Sequence, residues 1–359
     1  MPKKGEEKMN EGASGDSLSL LEQLPTELIQ KHIAPCLSGK ALAALSNSST
    51  TMFSHCQSPA AKRLISHVVK GEEAEALEMI DANPRLLLIP SQATDYSGRS
   101  YTGFMPFQVA LLCHDVTLWK KIEPYFDTLP NGQEEKARQF KALFPQGLPK
   151  QEPYDFNTLV QVITNSSIAD ITAAIYKADN DTTICHALKG FRATFTDLAM
   201  KETFFNPLHL IEALKVYDAQ FDYWSSNQKA LFLPQVIGYI QRFLPTSYAQ
   251  ALCQGLNFVV EEKKPLYRSL KFQYEHGVSY FPLDDSSGLG FDFGVFEISG
   301  SAGILSAAWP RVTFIVRKLD KLSRANTAEL FRLEHRIQHD GQSIKCLDTL
   351  SSRSCCEIF

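Results

Sequence analysis

Apolar residues first fall into register at Leu18. From there Leu20, Leu21, Leu24, Leu28, Ile29, Ile33 and Leu37 recur largely at steps of three to five residues, which places them along one face of a helix. Pro25 suits the first turn of that helix and Pro35 ends it, because proline lacks the amide that an interior turn requires. A short helix carrying Leu42 and Leu45 follows Ser38-Gly39, and a third starts near Ser48 or Ser49. Residues 61–90 read as two helices broken at Gly71 and closed by Asn83-Pro84. Beyond them Ser97-Gly98 marks a turn, and Phe107, Ala110, Leu111, Leu118 and Ile122 mark a helix pair. The stretch 130–155, punctuated by prolines and Asn131-Gly132, predicts a loop around one short helix. Helical periodicity resumes over 158–176, 206–223 and 231–256. Alternation suggests strands only at 270–274 and 278–283, a hairpin turning near Glu275 to Gly277. One long helix is expected over 312–338, after which the Ser-rich chain beyond Asp340-Gly341 loses its period. The fold class is therefore mainly α, with a small β-hairpin and a long C-terminal helix.

Composition narrows the function. A chain of 359 residues has room for two or three domains. The eight cysteines form no C-x-x-C pair or small-scaffold spacing, so neither a disulfide framework nor a zinc module is expected, and the compartment reads as reducing. Residues 1–16 are too polar to order themselves, and no apolar run approaches the roughly 18 residues of a spanning helix. With 36 basic against 40 acidic residues the whole chain has no electrostatic footprint for nucleic acid. Charge is uneven, however: between Arg311 and Arg353 nine basic side chains face five acidic ones.

Catalytic readings do not assemble. Asp292-Phe293-Gly294 spells a kinase metal-binding triplet, but no H-R-D loop or V-A-I-K strand precedes it. His335 and His339 stand four apart on the long helix without the glutamate of H-E-x-x-H, which reads as solvated surface. Cys113 beside His114 falls in a core helix and reads as packing. No catalytic residue, metal ligand or cofactor is assigned.

Two segments resemble known families. In residues 17–57, Leu24-Pro25 opening a helix, Glu27, Leu28 and Ile29, then Leu37, Leu42, Leu45 and Phe53 resemble an F-box. The resemblance implies a three-helix unit whose apolar face is covered by the Skp adaptor of a cullin–RING ubiquitin ligase, with those nine residues as the partner-binding contacts. About forty residues cannot bury their own leucines, so the adjoining chain or a partner must cover them. Here Asn47, Ser48, Ser49 and Thr50 replace the larger residues usual near the segment's end. Residues 60–130, with VVKGEEAEALEMIDANPRLLL followed by DYSGRSYTGFMPFQVAL, resemble a degenerate ankyrin-type repeat that the helices of 131–338 must cap. Together they are similar to ankyrin-like effectors that Legionella-type bacteria inject into host cells.

The tail, 339–359, is expected to be flexible and to carry a C-a-a-X signal, Cys356-Glu357-Ile358-Phe359, with Cys355 beside it as a palmitoylation candidate. The signal implies a host prenyltransferase as a partner. It also implies attachment to the cytoplasmic face of a host membrane, with the second anchoring signal coming from Cys355 or the basic excess before it. The expectation is a non-catalytic receptor with the Skp adaptor, the cullin–RING ligase and an unidentified target protein as partners. The rival expectation is a membrane-tethered ankyrin-like scaffold that recruits no ligase.

Overall fold

The computed structural model describes residues 18–175, 181–274, 277–280, 295–298, 301–304 and 312–353. The polar start, the Asp292-Phe293-Gly294 triplet, Cys355 and Cys356 lie outside these residues.

The chain is mainly helical and is organised around two apolar cores. The first core begins with a composite helix, α1, that is α-helical over Thr26–Leu28, π-helical over Ile29–Ile33 and 3-10 over Ala34–Cys36. It continues through α2 (Gly39–Asn47), α3 (Thr50–Val69) and α4 (Glu73–Ala82). Serines start two of these helices: Ser38 accepts from the Ala41 amide and Ser49 from the Met52 amide, each satisfying a donor with no partner inside the helix. Gly71 links α3 to α4 at φ +64°, with Gln250 2.9 Å from where a Cβ would stand, so its bare backbone is required twice over. A buried Asn83 ends α4 by donating to the Ser46 hydroxyl on α2 at 2.7 Å, and accepts from the Arg85 amide.

A hairpin absent from the sequence expectation comes next, β1 (Ser91–Thr94) antiparallel to β2 (Ser100–Phe104). Ser-Gln-Ala-Thr has no alternating apolar signal. The hairpin is held at its turn by Asp95, whose carboxylate accepts from the Ser97 and Arg99 amides and from the Ser97 hydroxyl. Helices α5 (Pro106–Leu112), α6 (Val116–Ile122) and α7 (Gly132–Leu143) complete this half. The last, at twelve residues, is longer than the short helix expected in the 130–155 loop.

The second core is built from α8 (Asn157–Asn165), α9 (Ile168–Ile175), α10 (Thr183–Lys201), α11 (Leu208–Gln220), α12 (Ser226–Phe232), α13 (Tyr239–Gln241), α14 (Thr246–Gln254) and α15 (Leu256–Val260). Of these α10 was not anticipated. The helix expected over 231–256 is divided by a π-helical turn at Leu233–Gly238 and by Pro245. The expected hairpin is present as β3 (Lys271–Tyr274) paired with β4 (Gly277–Tyr280). A further one, β5 (Val295–Ile298) with β6 (Ser301–Ile304), was not foreseen.

Helix α16 (Thr313–Arg353) closes the molecule. Its Ile315 and Leu319 end, with Val312 just before it, lies in the second core and its Leu330, Leu333 and Ile337 stretch in the first. The backbone stays helical through Gly341 to Arg353, where a flexible tail was expected. One glycine costs a helix only about 1 kcal/mol. The 57–60 boundary also falls inside a helix, α3, whose Met52 and Cys56 share a core with Leu64 and Val68.

Polar groups lock the two halves together. Arg268, from the second half, donates to Glu73 on α4 at 2.5 Å, to Asp115 at the start of α6 at 2.7 and 2.9 Å, and to Gln250 at 3.1 Å. Burial works to raise the Glu73 carboxyl, but Lys121 and Arg268 outweigh it and hold it below its usual value. Arg268→Ala leaves Asp115 enclosed without its cation and Glu73 with Lys121 alone. It should cost about 3 kcal/mol in urea unfolding, since removing one member of a buried pair strands the other.

Candidate docking face at the N-terminal edge

The expected partner-binding residues cluster where α1 lies across α3. Pro25 gives α1 its start, its carbonyl accepting from the Leu28 and Ile29 amides. At the other end, the 3-10 turn containing Pro35 leaves carbonyls without helical donors. Arg63 of α3 meets this end, donating to the Leu37 carbonyl at 2.5 Å and, at 3.0 Å, to the Ala34 carbonyl, which also accepts from the Leu37 amide. A matching repair occurs in the middle of α3. Pro59 has no amide to offer the His55 carbonyl four residues back, and the Gln30 side chain of α1 donates to that carbonyl at 2.9 Å. The His55 ring shares a 2.7 Å hydrogen bond with the Thr26 hydroxyl. The segment before α1 is pinned by Glu22, which accepts from the Ser49 hydroxyl at 2.5 Å and the Ser19 amide at 2.8 Å. These bonds, that of Ser49 first, hold its carboxyl below the ordinary value. Phe53 lies under the Arg85 guanidinium, 3.9 Å from the ring centroid, a cation–π contact.

This arrangement sorts the nine residues by exposure. Ile29 and Leu42 are fully buried in the chain's own core, so they support the face and cannot touch a partner, which corrects their assignment as contacts. The cause is that α3 and α4 cover them from inside the same chain. Leu24, Leu37, Leu45 and Phe53 are half-buried, while Pro25, Glu27 and Leu28 are exposed. Two leucines that sequence reasoning used only for periodicity join them: Leu20 is 84% exposed and Leu18 50%, against 44% for Leu28. Half-buried Leu21, Leu24, Ile33 and Leu37 lie in the same segment, packed on the first core. Among the described residues, the edge spanning 18–37 thus presents exposed apolar surface.

Elsewhere the chemistry stays quiet. Burial pushes the Cys113 thiol up to about 12 and lowers His114 to about 3, so the adjacent pair offers neither a thiolate nor a base near neutrality. His335 and His339 bring their Nε2 atoms to 3.0 Å on the exposed side of α16, yet among the described residues no three potential ligands gather. The basic excess of 311–353 is partly offset by acids from elsewhere in the chain, Lys321 pairing with Glu261 and Arg336 with Glu123, while Arg324 and Arg332 pair with Asp320 and Glu329 of the same segment. That leaves a weaker electrostatic attraction for anionic lipid than the sequence count implied. A surface cavity of about 300 Å³ between α7 and α16 is floored by Phe140, Phe144 and Ile337, with Lys141 and Glu334 at its sides. No helix among the described residues is long and apolar enough to cross a membrane. Comparison of the chain with protein-family models, with curated proteins and with solved structures finds no match.

The division between support and face is testable by stability alone. Ile29→Ala should cost about 2–5 kcal/mol through the cavity it leaves. Leu20→Ser with Leu28→Ser should change stability by only about 0.5 kcal/mol. Both are read from urea midpoints. The Pro59 repair has its own signature: Gln30→Ala should cost about 1 kcal/mol in the natural chain and clearly less in Pro59→Ala, whose restored amide can serve the His55 carbonyl. A double-mutant cycle measures that coupling.

Proposed function

We propose that the protein is a non-catalytic substrate receptor that recruits a Skp adaptor and its cullin–RING ubiquitin ligase through the 18–37 edge. The observation that carries this reading is the bare apolar edge of Leu18, Leu20 and Leu28, on a three-helix arrangement of α1, α2 and the start of α3 whose interior is otherwise closed. A packed monomer gains nothing in folding from exposed leucines, whereas a partner helix laid against them buries that area at about 25 cal/mol per Å². Helix pair, hairpin, helix pair is the order of α3 and α4, β1 and β2, then α5 and α6, which supports the ankyrin-like reading of the region that follows. Membrane attachment rests on the Cys356-Glu357-Ile358-Phe359 sequence, with Cys355 as its second signal.

The competing reading, a tethered ankyrin-like scaffold that recruits no ligase, is favoured by the burial of Ile29 and Leu42, which reduces the apolar area left for an adaptor. Co-precipitation from host-cell lysate separates the two. The receptor reading expects Skp adaptor and cullin with the natural chain, and a loss of at least about thirtyfold in adaptor affinity for Leu20→Asp with Leu28→Asp, the effect of removing central contacts. Capture of a target protein without adaptor or cullin favours the scaffold. A deletion ending at residue 57 is unsuitable, since it cuts α3 and strips Met52 and Cys56 from the core. For the tether, Cys356→Ser should move the protein from membranes to cytosol, because a hydroxyl does not replace the thiolate nucleophile. Membrane fractionation that is unchanged by Cys356→Ser removes the lipid from the proposal.

A further inference from the structure

The surface where the two halves meet contains one group that no part of the receptor reading uses. His114 occupies the turn between α5 and α6, with a left-handed backbone at φ 52°, and its side chain is fully buried. Every aromatic ring recorded against it comes from the second half: Phe204 at 4.4 Å between centroids, Phe205 at 5.8 Å and Tyr248 at 6.4 Å. Neither ring nitrogen has a hydrogen-bond partner. The backbone around it, by contrast, is tied across the same boundary. The Phe205 amide donates to the Leu112 carbonyl, the Ser247 hydroxyl to the Cys113 carbonyl, and Asn326 of α16 to the His114 carbonyl.

A neutral imidazole carries one N–H that water would satisfy and this site does not, and a protonated one would carry two and a charge. The titratable and charged groups around the ring do not relieve that. On its own turn, Cys113 faces Tyr101 and stays a thiol, and Asp115 is engaged by Arg268 and by the Leu118 amide. From the second half, burial holds the Tyr248 phenol neutral, and its oxygen accepts from Asn326. Asp95 and Arg99 act on the adjacent Cys113, and Asp115 leads on to Arg268, its second acid Glu73 and the Lys121 bound to that acid.

We propose that His114 is an acid-sensitive wedge: protonation of its imidazole favours a state in which the two halves part at this boundary and the ring is hydrated. The sign follows from linkage. Burial holds the ring near 3 in the closed form, against about 6.5 when hydrated, so the closed form loses stability as pH falls below about 6.5. Glu73 is held below 4.5, so its contribution to acid opening begins lower, and pH 5 isolates the histidine. From pH 7 to pH 5 the open fraction should rise about 25-fold, the ratio of proton-binding factors for those two pKa values.

The test is native-state hydrogen exchange on the full chain at pH 7 and pH 5, corrected for intrinsic rates. The Phe205 amide reports the boundary and amides within α11 report the second core. The expected result is a protection loss of about 25-fold at Phe205 with little change in α11, and a loss of less than about threefold in His114→Asn, which does not titrate and tolerates the left-handed turn. An equal loss at Phe205 in His114→Asn overturns the proposal. Should that variant fail to fold, the imidazole proton resonances of the natural chain decide. A titration midpoint near 6.5 in the closed protein overturns the proposal, and no midpoint above pH 5 supports it.

Discussion

Arg268 is the constraint on which the remaining architecture rests. Its planar guanidinium meets two carboxylates from different elements of the other half, Glu73 on α4 and Asp115 at the start of α6, and Lys121 reaches the same Glu73. Such an arrangement is weak as a source of net stability, because removing charges from water offsets most of the attraction. Its strength is in specifying one geometry, since any slide between the halves would strand a carboxylate in a dry place. Asp115 carries a second duty, accepting from the Leu118 amide to begin α6, so the ion pair and the local helix start are the same atoms. The neighbouring bonds from Thr246 to the Val69 carbonyl and from Gln250 to the Gly71 carbonyl then only have to follow.

With that geometry fixed, α16 becomes a shared ridge. Its successive apolar stretches belong first to one core and then to the other, and neither core is closed without it. The same logic explains the N-terminal edge. Because α3 runs on unbroken through Pro59, the residues that begin the first core and those that finish it are held by one rigid element, and Gln30 restores the hydrogen bond that the proline removes. The backbone break in α3 is therefore repaired from within the chain, and among the described residues of this edge the outward leucines of 18–37 remain exposed.

How far the sequence revealed this depended on how local each cause was. The starts of α2 and α3 were readable because a serine and the leucines after it act within a few residues, and the same holds for the β3–β4 hairpin. Helix α10 was also readable in principle, with Ile184, Leu188, Phe191, Phe195 and Ala199 at helical steps, but Gly190 and its threonines masked the period. The β1–β2 hairpin was not, since Ser-Gln-Ala-Thr has little strand character and depends on the Asp95 turn and on burial of Tyr101. The expected boundary at 57–60 falls inside α3, which runs on through Pro59 with the Gln30 side chain from another helix serving the carbonyl that the proline leaves without its amide. At the candidate face the sequence could not separate Ile29 from Leu28, adjacent residues whose burial is set by which side of α1 meets α3.

The boundary between the halves also limits where a target could bind. The tip of the β1–β2 hairpin is engaged internally: Arg99 donates to the Ala199 carbonyl at 2.7 Å, and Tyr96 packs against the second core. A partner could reach that tip only by displacing these contacts. Among the described residues, the other large exposed apolar side chains, Ile168, Met200, Tyr223, Tyr267, Phe314 and Phe331, form no run in the sequence. Single exposed side chains of this kind are ordinary on a folded surface and do not define a groove. If the second half selects a target, the physics therefore favours recognition through polar contacts and shape across several helices. Among the described residues, the exposed apolar run is then the one within residues 18–37, so apolar and polar recognition would sit on different parts of the chain.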